Sequence, residues 1–143
     1  MRALISVSDK SGVENFAKEL NLWNTVIEAN NQGLLKAAKD VNVGGIAVSL
    51  AKMAVVGNKG VEVNVKLDDS KDIFSETLSR AIVEVKPSNK EAFEAVANEN
   101  EIKFEEIGTV KSGMISINDI RVTLTEASDI YYNKFKRVIE QDL

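Results

Sequence analysis

The chain has no cysteine and no histidine. Without cysteine there is no disulfide, no thiol nucleophile and no thiolate metal ligand. Without histidine it lacks the side chain that exchanges protons near neutrality and the commonest metal ligand. A Ser-His-Asp or Cys-His mechanism is therefore excluded within these 143 residues. No apolar run approaches the roughly 20 residues of a membrane-spanning helix, and the start is not a signal peptide. A net charge of −4 leaves no basic footprint for nucleic acid. The expected protein is soluble and cytoplasmic, with no nucleic-acid and no membrane partner.

What is present suits one ordinary domain with a real core: 143 residues, 44% of them hydrophobic. Ala3 to Val7 is a short apolar strand candidate. Ser11 and Glu14 have capping-box spacing, and Val13, Phe16, Ala17 and Leu20 follow helical periodicity behind them. A second helix is expected over Trp23 to Asn31, ended by Gln32-Gly33. Leu34 to Val41 is placed as a strand. Gly44-Gly45 opens a third helix, Ile46 to Val56, apolar nearly all round and so buried, with Gly57 and Gly60 closing it.

Val61 to Leu67 alternates as a half-buried strand does, and a polar loop of Asp68 to Asp72 follows. Those carboxylates match no calcium-loop spacing and read as a solvated loop. Ala81 to Val85 is a further strand, stopped by the single proline, Pro87. Ser88 and Glu91 suggest a second capping box, for a helix to Glu99 with Phe93, Val96 and Ala97 inward. Phe104 to Val110 and Met114 to Ile117 read as a hairpin around Lys111-Ser112-Gly113, and Ile120 to Leu124 as one more strand. A last helix, about Glu126 to Gln141, carries a stripe of Ala127, Tyr131, Phe135 and Val138. The pattern predicts an α/β (α+β) fold, a mixed β-sheet covered by helices.

Two runs carry family resemblances. Met1 to Leu20, MRALISVSDKSGVENFAKEL, resembles the start of AICAR transformylase/IMP cyclohydrolase. From about Leu22 onward the chain resembles the C-terminal domain of phosphoribosylformylglycinamidine (FGAM) synthase, within the aminoimidazole ribonucleotide (AIR) synthase superfamily. Lys39-Asp40-Val41-Asn42-Val43-Gly44-Gly45-Ile46 stands where that family has HDVSDGGL. Ile73-Phe74-Ser75-Glu76-Thr77-Leu78-Ser79-Arg80 is similar to its FSES-x-SR, and Ala81 to Val110 follows its order of strand, capped helix and strand. The resemblance divides the chain into a strand-helix addition, residues 1–20, and an AIR synthase-related C-terminal domain, residues 21–143.

The resemblance implies a sugar-phosphate nucleotide ligand, with Asp40, Gly44, Gly45, Glu76, Ser79 and Arg80 as its contacts. Two glycines before a helix let backbone amides approach an anion; the alternative is that they only permit a tight turn. Arg80 is suited to grip a phosphate or carboxylate; the alternative is an internal Glu76–Arg80 ion pair. The family's histidine, serine and second aspartate are Lys39, Asn42 and Val43 here, and no catalytic residue is assigned. The cyclohydrolase resemblance implies phosphate contacts at Ser8, Lys10 and Ser11. ATP and Mg²⁺ belong to the parent family, and its nucleotide-binding domain has no counterpart in this sequence. No cofactor or metal is expected in this chain. The function expected is that of a purine-enzyme piece, inactive alone. The alternatives are a homo-oligomer or partner-binding module that lacks its parent domains, and a cyclohydrolase label earned by the first residues.

Overall fold

The computed structural model describes residues 3–8, 14–66, 70–77 and 79–141. The chain runs β1 (Ala3–Ser8), α1 (Glu14–Asn31), β2 (Leu35–Asp40), α2 (Gly45–Gly57), β3 (Gly60–Val63), β4 (Arg80–Val85), α3 (Lys90–Glu99), β5 (Phe104–Lys111), β6 (Met114–Ile117), β7 (Ile120–Thr123) and α4 (Leu124–Gln141). Short 3-10 turns at Ser70–Phe74 and Pro87–Asn89 precede β4 and α3. The strands form one mixed sheet of order β2-β4-β1-β5-β3-β6-β7, antiparallel except where β3 lies parallel to β6.

Side-chain alternation on β4 shows how the sheet divides two cores. Ala81, Val83 and Val85 join Leu22 and Ala29 of α1 and Phe93, Val96 and Ala97 of α3 on one face. Ile82 joins Ile46, Leu50, Ala54 and Val55 of α2 on the other, with Leu124 at the start of α4. A period of two in the strand thus feeds two helical layers. Phe93 is fully buried and meets Phe104 edge-on at 6.2 Å between ring centres.

The expected mixed sheet under helices is present, with local differences that have physical causes. The two helices expected before Gly33 are one, unbroken from Glu14 to Asn31. Nothing at Leu20-Asn21 breaks it, because neither glycine nor proline stands there. The helix ends at Gly33 (φ 71°), where Gly33 N–H donates to Asn30 O and Leu34 N–H to Ala29 O, the two bonds of a left-handed glycine cap. At the end of α2 that role falls to Asn58 (φ 49°) and not to a glycine. Gly60 instead starts β3, where a Cβ would lie 2.3 Å from Met114 O.

Ser88 does not cap α3. Its hydroxyl meets Asn89 Oδ1 at 3.0 Å, within the 3-10 turn that Pro87 begins. The Ser11–Glu14 box falls outside the described residues at Ser11. The expected β5–β6 hairpin is not a pair, since β3 inserts between those strands. The true hairpin is β6–β7, turning at Asn118-Asp119 with Asn118 at φ 51°. On α4, Ala127 packs against the core, but Tyr131 and Val138 of the expected stripe are exposed; the Phe135 side chain is outside the described set.

Candidate functional site

Two segments forty residues apart in sequence meet at one end of the sheet. In the β2–β4 register Asp40 lies opposite Ala81, and Val41 N–H donates to Arg80 O at 2.9 Å. The chain then turns through Asn42 to Gly44 and enters α2. Both glycines of the turn have left-handed backbone, Gly44 at φ 85° and Gly45 at φ 65°. At Gly45 a side chain is also barred by space: its Cβ would come within 2.5 Å of the Phe74 carbonyl carbon and 2.6 Å of Ile73 O. The glycine therefore lets the start of α2 lie directly on the 3-10 turn that precedes β4.

The polar groups of this corner bind one another. Gly44 N–H donates to Glu76 Oε1 at 3.1 Å, which places a carboxylate at the amino end of α2, where the helix dipole favours it. Arg80 is buried, 9% exposed. Its Nε donates to Thr77 O at 3.2 Å and its Nη2 to Ser75 O. Burial lowers the guanidinium pKa from its usual value, and the negative charge of Asp72 works the other way. Asp40 accepts from Lys39 Nζ at 3.2 Å and from Asn42 Nδ2 at 2.7 Å, while its backbone oxygen accepts from Ser49 Oγ at 3.3 Å. The Ser75 and Thr77 hydroxyls are 2.9 Å apart. Ser79, half-buried at φ 60°, turns the chain into β4.

All six positions implied by the synthase resemblance thus converge on one corner. The Glu76–Arg80 ion pair weighed as the alternative to a ligand grip gives way to separate partners: Glu76 holds the Gly44 amide, and Arg80 holds the loop carbonyls. Ser8 pairs by backbone with Arg80 across β1 and β4, which brings it to the same end of the sheet. Lys10 and Ser11 lie outside the described residues, as do Asp68 and Asp69. Among the described residues no three carboxylates gather as a metal site. Asp40 and Glu76 each accept hydrogen bonds within the corner.

One positioning residue escaped the sequence reading. Asn118 Oδ1 accepts from Val65 N–H at 2.8 Å, and its Nδ2 donates to Val65 O at 3.0 Å, so a side-chain amide continues the ladder beyond β3. An Asn-Asp pair between two apolar strands is the turn signal that would have found the hairpin; the clamp itself has no local signature.

Residues 2–118 match the family described as AIR synthase related protein, C-terminal domain. The chain belongs to that family. Among curated relatives, the phosphoribosylformylglycinamidine synthase subunit PurL of a Nitratiruptor species is 56% identical over 129 residues, 90% of this chain and 18% of that protein. The PurL subunit of Sulfurimonas denitrificans is 44% identical over the same length, covering 17% of its own chain. This AIR synthase-related domain therefore spans less than a fifth of the curated relatives it matches. In solved structures, T. maritima PurL complexed with FGAR superposes with a TM-score of 0.71 at 16% identity, over 89% of this chain and 28% of that one. PurLQS from Thermotoga maritima gives 0.73 at 18%, over 88% and 26%. At that identity the structural likeness speaks for the fold alone. The comparisons carry the synthase resemblance and give no support to the cyclohydrolase one. Among the described residues no helix is long and apolar enough to cross a membrane.

Proposed function

We propose that this chain acts as the C-terminal domain of an FGAM synthase, a cytoplasmic purine-biosynthetic amidoligase, and supplies a substrate-side wall to it. The observation that carries this reading is the 56% identity to a PurL subunit across 90% of the chain. The wall is the corner built by Asp40, Gly44, Gly45, Glu76, Ser79 and Arg80, and the ligand class is a sugar-phosphate nucleotide. In support, one PurL of this fold is described as complexed with FGAR. The corner shapes the site; it does not perform the chemistry. It offers no histidine or thiol, its arginine is committed to carbonyls, and its carboxylates are hydrogen-bonded. Catalytic groups come from other parts of the synthase polypeptide, and the chain by itself turns nothing over.

The test is a chimera. This chain replaces the matched stretch in the Nitratiruptor PurL subunit, and FGAM formation is assayed with the complete enzyme's substrates. Restored turnover, reduced at least ~10-fold by a Gly45→Val change that deforms the turn, is the expected result. A folded chimera with no turnover would overturn the reading. Calorimetry of the isolated chain with FGAR measures whether the corner alone retains affinity.

A further inference from the structure

We propose that Asn118 is a positioning residue for the corner. It stands on the β6–β7 hairpin, which contributes none of the corner's six residues, and it sets where the chain leaves β3. It thereby sets where the loop from Glu76 to Arg80 comes to lie. The inference rests on the function proposed above, in which that corner is a substrate-side wall. The β3 strand ends at Val63, yet the chain stays bound to the sheet as far as Val65. On the β5 side, Asn64 N–H donates to Ile107 O at 2.8 Å. On the other side β6 has ended at Ile117 and the chain is turning, and Asn118 takes the place of strand backbone. Its own N–H donates to Val63 O at 2.9 Å, and its side-chain amide then engages both backbone groups of Val65. The donor and acceptor of one amide match the acceptor and donor of one residue, so Val65 is fixed in direction as well as in place. Aspartate offers acceptors only, and glutamine carries its amide one carbon too far. The left-handed backbone of Asn118, φ 51°, serves the turn, as glycine would. The double bond to a third strand is more than the turn requires.

What Val65 fixes reaches the corner by two routes. Along the chain, only residues 66–69 separate it from Ser70, where the 3-10 turn before β4 begins. Through the core, Val65 and Ile73 of that turn are buried in one cluster with Ile46, the residue after Gly45. Gly45 lies on the backbone of Ile73 and Phe74 with no room for a methyl group. Parts packed this closely do not shift independently. A displacement at Val65 therefore passes to the turn, to the Glu76 bond on Gly44, and to the Ser75 and Thr77 carbonyls that hold Arg80. A misplacement of about 1 Å, caused far from the chemistry, can cost an enzyme on the order of 10²-fold.

Amide hydrogen exchange of the isolated chain tests the coupling. Asn118→Gly keeps the left-handed turn and deletes the clamp. Val41, bonded to Arg80 O, and Gly45, bonded to Asn42 O, report on the corner; Leu34 and Ile102, bonded to Ala29 O and Ala97 O, report on the other core. In the glycine protein the first pair should exchange at least ~10-fold faster, and the second pair at the wild-type rate. Acceleration of all four amides together would overturn the proposal, because a general loss of stability would explain it. Unchanged rates at Val41 and Gly45 would overturn it too. Asn100→Ala removes side-chain bonds to Glu28 and Val96 O and should leave the corner pair alone; equal acceleration there would again count against the clamp. Should Asn118→Gly not fold, Asn118→Asp, which keeps only the acceptor for Val65 N–H, is read by the same four amides. In the chimera, Asn118→Gly should raise the KM for FGAR at least ~10-fold with kcat within about two-fold, and an unchanged KM would refute the positioning role. A selective response of the corner amides beside a folded, inactive chimera would sink the function and leave the clamp's reach standing. An active chimera with all four amides moving together would sink this inference alone.

Discussion

The amide of Gly44 and the carboxylate of Glu76 are joined at 3.1 Å across thirty-two residues of sequence. This bond ties the turn before α2 to the loop before β4. Because Glu76 is exposed and replaceable by water, Glu76→Ala should cost only about 0.5–1 kcal/mol, the worth of a charged cap at a helix start. Urea denaturation of both proteins checks it.

Gly45→Ala should be far more damaging, by roughly 2–4 kcal/mol. The new methyl group meets backbone, which cannot swing aside, and φ 65° is strained for alanine. Gly33→Ala, with a similar φ but open space around it, should cost about 1 kcal/mol. The ratio of the two denaturation shifts separates contact from backbone strain.

Arg80→Met keeps much of the buried stem and deletes the bonds to Ser75 O and Thr77 O. A loss of about 2–3 kcal/mol is expected. Arg80→Lys should recover little of it, because one ammonium cannot replace a fork that reaches two carbonyls. Thermal melts of the three proteins read the order.

Asn118→Ala should cost about 1–2 kcal/mol, from two lost bonds to Val65 and a left-handed backbone position. Asn118→Asp tests the clamp itself. It keeps the acceptor and the turn preference but removes the donor to Val65 O. Amide exchange at Val65 should quicken more in the alanine protein than in the aspartate one.

The Asp129 carboxyl is held below its ordinary value of 3.8, first by a hydrogen bond from Asn133 and then by one from Arg137. A depressed folded value means that its contribution to α4 is complete above 3.8 and is lost as pH falls through the lower folded value. Carbon-detected NMR titration should show this midpoint, and Asn133→Ala should move it upward. An unmoved midpoint would show that Asn133 does not hold the carboxylate.

Periodicity made the separate elements legible. The alternation of β4, the apolar girdle of α2 and the inward trio Phe93, Val96 and Ala97 were all readable, since each reports burial through its own neighbours. Pairing was not readable. Lys111-Ser112-Gly113 looks like a hairpin turn, and only the distant insertion of β3 makes it a crossing between non-neighbours. Helix continuity through Leu20-Asn21 was obscured by a boundary of resemblance that has no physical marker. At the candidate site, the two short motifs could be anticipated from family order, but their meeting at one corner was not read from the sequence. The partners of Glu76 and Arg80 could not, because which oxygen a side chain reaches is decided by the packing of Gly45 on Phe74. The stripe on α4 was visible as a pattern, but a pattern does not say whether anything lies against it.

The position of β1 has a consequence for how the sheet is completed. Its six residues lie between β4 and β5, with Ala3 opposite Val85 on one side and Thr109 on the other. Remove it, and the ladder separates into β2-β4 and β5-β3-β6-β7, which share no strand contact. β1 must wait for partners some eighty and a hundred residues later in the sequence, so the two halves of the sheet cannot be joined until both β4 and β5 are in place. Such distant closure is slow. Until β4 docks, β1 is an unpaired apolar strand, and until β5 follows it keeps one open edge to which another chain's strand could add.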